Sequence, residues 1–175
     1  MSGSNFTGNN AKYGGAVYWN RDNSNINATF INNTANCGGA IYVYGFSAST
    51  VTGTYINNTA SDAVIYFFAE NNDLDVNIAN AIFLNNKCTY EILANGPIVE
   101  LEYSWFGNNA SNFMNKPNVN DNVTVDNWLF LNATVNPSSL LIMDFSKVTF
   151  KLYSTDGTNV SDFDNSMLPA VNLTL

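Results

Sequence analysis

Histidine is absent from the 175 residues, which removes the imidazole-dependent nucleophilic triads outright. Basic residues are nearly as scarce. Lys12, Arg21, Lys87, Lys116, Lys147 and Lys151 stand against fourteen acidic side chains, for a net charge of −8. Scattered singly, they form no basic patch, so nucleic acid and anionic membrane surfaces are poor partners. No apolar run approaches the roughly 20 residues needed to cross a bilayer, and no membrane-spanning segment is expected. The start, Met1-Ser2-Gly3-Ser4, has neither the charged nor the apolar part of a signal peptide. It reads as an added start placed inside a longer protein. Two cysteines, Cys37 and Cys88, are too few for a disulfide framework. No glycine-rich loop is followed by the Lys and Ser/Thr that a nucleotide requires, so no cofactor is expected.

Charge of either sign is thin, at 11% of residues, yet 46% are hydrophobic and 14% aromatic. Disorder needs the opposite balance, so a packed core is expected. Asn, Ser and Thr carry the polar share, and such a surface hydrogen-bonds rather than ionises. N-x-[ST] sequons begin at Asn5, Asn27, Asn32, Asn57, Asn109, Asn122, Asn132, Asn159 and Asn172. Many arise by chance in an Asn-rich chain, but their number fits an extracellular, cell-surface or cell-envelope protein.

The deciding feature is a repeat. Phe6-Thr7-Gly8-Asn9-Asn10 returns as Phe30-Ile31-Asn32-Asn33, Tyr55-Ile56-Asn57-Asn58, Phe83-Leu84-Asn85-Asn86 and Phe106-Gly107-Asn108-Asn109. A second block follows at nearly fixed distance: Gly14-Gly15-Ala16-Val17-Tyr18, Gly38-Gly39-Ala40-Ile41-Tyr42, then the degraded Ala63-Val64-Ile65-Tyr66 and Ile92-Leu93-Ala94. Segments within a repeat are short, strand-like and ended by Asn, Gly, Ser or Asp. No helical period is sustained. Two or three short strands in about two dozen residues fit one rung of a parallel β-helix, giving an all-β protein of four to five short rungs. In such a stack equivalent Asn side chains recur about 4.8 Å apart and can hydrogen-bond along the stack. The Gly-Gly pair marks a corner where Cβ atoms would clash.

The Phe-x-x-Asn and Gly-Gly-Ala-Ile blocks resemble the repeats of chlamydial polymorphic outer-membrane proteins. The version from Asn32 to Tyr42 most resembles adhesin-like surface proteins of methanogenic archaea. The resemblance covers roughly residues 5–115. It implies a right-handed β-helix displayed on a cell envelope and brings no catalytic residues. Its implied role is a non-catalytic adhesin or stalk, with a surface glycan or protein of another cell as partner.

The repeat fades near residue 115, so the expected organisation is a β-helix over 1–115, a linker over 116–122, and a distinct segment over 123–175. Strands are expected over Val123–Val135, Val148–Tyr153 and Val171–Leu175, with a turn at Thr155-Asp156-Gly157-Thr158. This segment resembles the opening of an invasin-type immunoglobulin-like β-sandwich. It is about half the roughly 100 residues such a domain needs, so it is expected to be partial or to cap the last rung.

Three groups of side chains are candidates for function. Asp73, Asp75, Glu100 and Glu102 form two acidic pairs that counting from Tyr55 and Phe83 places on adjacent rungs. Clustered carboxylates of this kind could hold calcium or act on polysaccharides, the alternative to adhesion. The competing reading is a solvated acidic face. Catalysis is disfavoured because no Arg or Lys sits at a matching offset, and the expectation is that the chain is not an enzyme. Tyr18, Trp19, Tyr42, Tyr44 and Tyr66 follow the Gly-Gly blocks, near Tyr13, Phe46, Phe67 and Phe68. Alternation puts Tyr42 and Tyr44 opposite Ile41 and Val43, making an outer aromatic ladder that could stack on sugar rings or a partner protein, or simply stabilise the rungs. Cys37 and Cys88, two rungs apart, are expected to be unpaired and largely buried.

Overall fold

In a computed structural model of the chain, residues 1–20, 25–45, 49–70, 75–136 and 145–169 are described. The repeat is one rung of a parallel β-solenoid of about 5 turns. The long face stacks Ser2–Thr7, Asn25–Ile31, Ser49–Ile56 and Asp75–Leu84. It continues through Ile98–Glu102 with Ser104–Asn109, then Val123–Val125 with Trp128–Asn136. A second face stacks Val17–Asn20, Ile41–Tyr44, Ala63–Phe68 and Tyr90–Asn95. A short third face stacks Asn10–Tyr13, Thr34–Cys37 and Thr59–Ala60.

Stacking of like on like builds the interior. Phe6, Phe30, Tyr55, Phe83 and Phe106 form one column, with successive ring centroids 5.2, 5.0, 4.8 and 4.8 Å apart and nearly parallel planes. Offset stacking of this kind adds about 0.5–1.5 kcal/mol per pair beyond area burial. Ile26, Val51, Ile78, Leu101 and Val125 form a second column, and Val17, Ile41, Ile65 and Ile92 a third. Each is held in place by the register of its strands, because a one-residue slip would turn every side chain outward.

The two asparagines of each pair have different jobs. The first takes the left-handed conformation that turns the chain, with φ of 55° at Asn32, Asn57 and Asn85, and Gly8 holds the same place in the first repeat. The second turns inward and forms the polar ladder. The Oδ1 of Asn33 accepts from the backbone N and the Nδ2 of Asn9, Asn58 does the same for Asn33, and Asn86 for Asn58, at 2.8–3.2 Å. The Nδ2 groups of Asn33, Asn58 and Asn86 also donate to the carbonyls of Phe6, Phe30 and Tyr55. Asn33 and Asn58 are wholly buried, so this network satisfies groups that would otherwise be costly. The Gly-Gly corner is equally constrained: a Cβ on Gly15 would strike the carbonyl oxygen of Gly39, and one on Gly39 would lie 2.8 Å from that of Thr59.

The expected boundary needs correction. The stretch 116–122 is part of a rung rather than a spacer: Val119 bridges Ile92, Asn118 accepts from the Glu91 N–H, and Asn120 binds both the N–H and the carbonyl of Ala94. Val123–Val125 and Trp128–Asn136 then pair in parallel with the rung before them. The strand expected over Val123–Val135 is therefore two strands that continue the solenoid. Lys147–Thr155, covering the expected Val148–Tyr153, turns antiparallel against Trp128–Asn136, and Val160–Asp162 follows it after the expected turn. All these strands belong to the long-face sheet. The chain also folds back: Phe163 and Leu168 pack with Ile82, Trp105 and Leu129, outward-facing members of the long face. Val171–Leu175 lies outside the described residues.

Candidate functional site

The Gly-Gly corner delivers the chain onto the second face, where strand alternation separates two rows. Val17, Ile41, Val43, Ile65 and Phe67 turn inward to the core. Tyr18, Tyr42 and Tyr66 are aligned by register on the other side, as are Tyr44 and Phe68. Tyr18 stacks on Tyr42 at 5.5 Å with planes 6° apart, Tyr42 meets Tyr66 edge-on at 5.1 Å, and Tyr44 stacks on Phe68 at 5.6 Å. Tyr13, at the end of the third face, closes the group with its ring 5.2 Å from Tyr42. Together Tyr13, Tyr18, Tyr42 and Tyr44 wall a shallow hollow of about 240 Å³.

Within this group the rings differ in access. Tyr18 is 51% and Tyr13 40% exposed, whereas Tyr42 is 8% exposed and serves as the floor. Burial, helped by the neighbouring Tyr66, pushes the Tyr42 hydroxyl up to about 12, so it stays a neutral donor at any physiological pH. Among the described residues the ionic groups stand at the margins: Lys12 lies 5.0 Å from the centre of the Tyr13 ring, and Tyr44 donates to Glu70 at 3.3 Å. Such a surface offers ring faces and hydroxyls and little charge, chemistry suited to sugar rings or neutral polypeptide. Trp19 does not belong to it. Its register partner is Val43, which in turn aligns with Phe67, and it packs against the solenoid core. Phe46 lies outside the described residues.

The described backbone does not align Asp75 with either Glu100 or Glu102. Asp73 lies outside the described residues, as does the side chain of Asp75. Backbone register puts Asp75 beside Ile98, Asn77 beside Glu100 and Ala79 beside Glu102. The next rung places Thr124 beside Glu100, so no column of carboxylates forms there. Among the described residues no group of three His, Cys, Asp or Glu side chains is placed to hold a metal ion. Glu91, outside these pairs, is a carboxyl whose proton affinity is raised. Burial raises it to about 7, while the Asn86 amide, donating at 3.1 Å, pulls the other way.

Both cysteines are unpaired and half-buried, less enclosed than expected. Burial raises Cys37 to about 11 and Cys88 to about 12, with the nearby Asp62 and Glu91 carboxylates adding to it. Neither is an activated nucleophile. Of the sequons, Asn5, Asn27, Asn32, Asn57, Asn109, Asn122 and Asn159 are exposed and Asn132 is half-buried. The amides of Asn122 and Asn159 already donate, to Ala94 and Asp156. Asn172 lies outside the described residues.

One concavity had no signal in the repeat. Tyr103, Asp126, Asn127, Asp156, Asn159 and Asp162 surround a hollow of about 350 Å³ where the last rungs meet the antiparallel strands. Tyr103 falls between two strands of one rung, at a place where the earlier rungs have no aromatic residue.

The fold and this surface define a β-solenoid repeat protein with one aromatic face. Comparison with known proteins adds no relative: no protein family, curated protein or solved structure matches the chain.

Proposed function

We propose that the chain is a non-catalytic, extracellular adhesin or stalk segment whose second face binds a surface glycan or protein of another cell. The observation that carries this reading is the hollow of Tyr13, Tyr18, Tyr42 and Tyr44, with two rings left largely open on a rigid strand scaffold. Rigid aromatic anchors bind at little entropic cost because their positions are already set. The scarcity of charge suits a long surface held together by amide ladders. The exposed sequons and the repeat's resemblance to envelope proteins support the same placement.

The test is a glycan array and a whole-cell binding assay with the chain and with a Tyr18→Ala/Tyr44→Ala double variant. Saturable binding that the double variant weakens at least tenfold is the expected result. Uniformly negative binding, or binding the double variant retains in full, would make the chain a spacer.

A further inference from the structure

The long strand of each rung bends at one place. Three rungs make the bend with an extra residue in the left-handed region: Gly3 at φ 63°, Asn80 at φ 53° and Tyr103 at φ 44°. Their equivalence follows from register. Gly3 is inserted before Ser4, which pairs with Ala28, and Asn80 is inserted before Ala81, which pairs with Gly53. Ala79 pairs with Glu102 and Ile82 with Trp105, which sets Asn80 beside Tyr103. Gly and Asn are the residues that accept this conformation; a bulky tyrosine there is an outlier, with a cost of roughly 1–2 kcal/mol.

The bulge turns Tyr103 out of the sheet, as bulges do near sites. Its ring lies 5.8 Å from the ring of Phe163, with planes 24° apart, and stays 36% exposed as one wall of the 350 Å³ hollow. On the next rung Asn127, which lines the hollow, accepts from the Tyr103 N–H at 2.8 Å, so its Oδ1 is used while its Nδ2 has no partner among the described residues. Asp126 beside it has no partner for its carboxylate among the described residues. The other two acids are committed: Asp162 to Lys151 at 2.7 Å, and Asp156 to the backbone of Thr158 and Asn159 and the Asn159 amide.

We propose that this hollow is a binding site for a single neutral sugar ring, separate from the tyrosine face. Tyr103 is the stacking platform, the Asp126 carboxylate accepts from ring hydroxyls, and the Asn127 amide donates to one. The volume is near the lower end of the range for small-molecule sites, about 300–1,000 Å³, which suits one ring rather than a long chain. Asp126, Asp156 and Asp162 line the hollow, and Lys151 offsets one of them through its pair with Asp162, which leaves the rim net negative and turns away uronates and other anionic sugars.

The test is titration of the isotope-labelled chain with D-glucose, D-galactose and D-mannose, and separately with D-galacturonate, followed by amide chemical shifts. Saturable shifts at Tyr103, Asp126 and Asn127 with at least one neutral hexose, and none with galacturonate, are expected. Tyr103→Asn, which puts at this bend the residue that Asn80 shows to be accepted there, and Asp126→Asn should each weaken binding at least tenfold with the remaining spectrum unchanged. No shift with any neutral hexose, unaltered binding in Tyr103→Asn, or equal binding of galacturonate would overturn the assignment. Shifts confined to Tyr18, Tyr42 and Tyr44 would overturn it while leaving the tyrosine face in place.

Discussion

The division of labour inside each Asn-Asn pair can be tested by changing neighbours. Asn58 is wholly buried, and its side chain makes four hydrogen bonds. Its Oδ1 accepts from the N–H of Asn33 at 3.0 Å and the Nδ2 of Asn33 at 3.1 Å. Its Nδ2 donates to the Phe30 carbonyl at 3.0 Å and to Asn86 Oδ1 at 3.2 Å. At about 1 kcal/mol net per bond, Asn58→Ala should cost about 4 kcal/mol, a large share of the 5–15 kcal/mol that usually holds a domain. The loss is not repaired by water, because the Asn33 N–H and the Phe30 carbonyl are left facing the space the amide vacated. Asn57 is one residue away and should behave in the opposite manner. Its side chain is exposed and its φ is 55°, so Asn57→Gly keeps every ladder bond and relieves a left-handed backbone. That change should fall within about 0.5 kcal/mol of the parent. Urea unfolding followed by tryptophan fluorescence gives both numbers, and amide exchange at Asn33 reads the ladder directly. Equal losses from the two substitutions, or an Asn33 amide as protected in Asn58→Ala as in the parent, would refute the ladder as the element that ties rungs together.

Three further outcomes follow from the same geometry. Glu91 titrates from 4.5 in the unfolded chain to about 7 in the fold because of burial; its protonated form is favoured by folding, so its contribution is complete below about pH 4.5 and is lost as pH rises through 7, at most about 3 kcal/mol. Glu91→Gln should therefore gain stability relative to the parent as pH rises from 5 to 8, and a difference that does not vary with pH would sink this account. Gly15→Ala should destabilise by about 1–3 kcal/mol, since its Cβ meets the Gly39 carbonyl and unyielding Thr34 backbone, whereas Gly107→Asn, where a Cβ meets only a Leu84 methyl at 3.6 Å but φ is 77°, should cost less, under about 1 kcal/mol in thermal melts. Cys37 and Cys88 should react with a thiol reagent at pH 7 at least about a hundredfold more slowly than an open cysteine; fast labelling of the folded chain would contradict their placement.

Much of the solenoid was legible because its core positions must repeat. An aromatic residue that stacks on its counterpart is replaced only by another ring, so Phe6 to Phe106 stay visible, and so does the Gly-Gly corner while Cβ atoms would collide there. Where other groups satisfy the backbone, the signal disappears. The rung through Val119 has no Gly-Gly-Ala block because Asn118 and Asn120 bind the neighbouring rung through their side chains, and a run of Pro and Asn then looks like a linker. The acidic pairs were misaligned for a related reason. Counted forward from Tyr55 and Phe83, the offsets pass through connections of different length. Counted back from the next ring, Glu100 precedes Phe106 by the same six residues that separate Asn77 from Phe83, and the register agrees.

The tyrosine face and Tyr103 differ in the same terms. Tyr18, Tyr42 and Tyr66 recur with the period, so structure alone explains part of their presence: each ring supports the next. A periodic residue is thus ambiguous between support and binding, and of these three the exposed one, Tyr18, bears on function. Tyr103 breaks the period at a bend where Gly3 and Asn80 show what the backbone prefers. Support from Phe163 offsets part of that cost, but a smaller left-handed residue would avoid the cost altogether. In a repeat protein the residue that departs from the repeat, at a position where departure is costly, is the better guide to a site than the residue that obeys it.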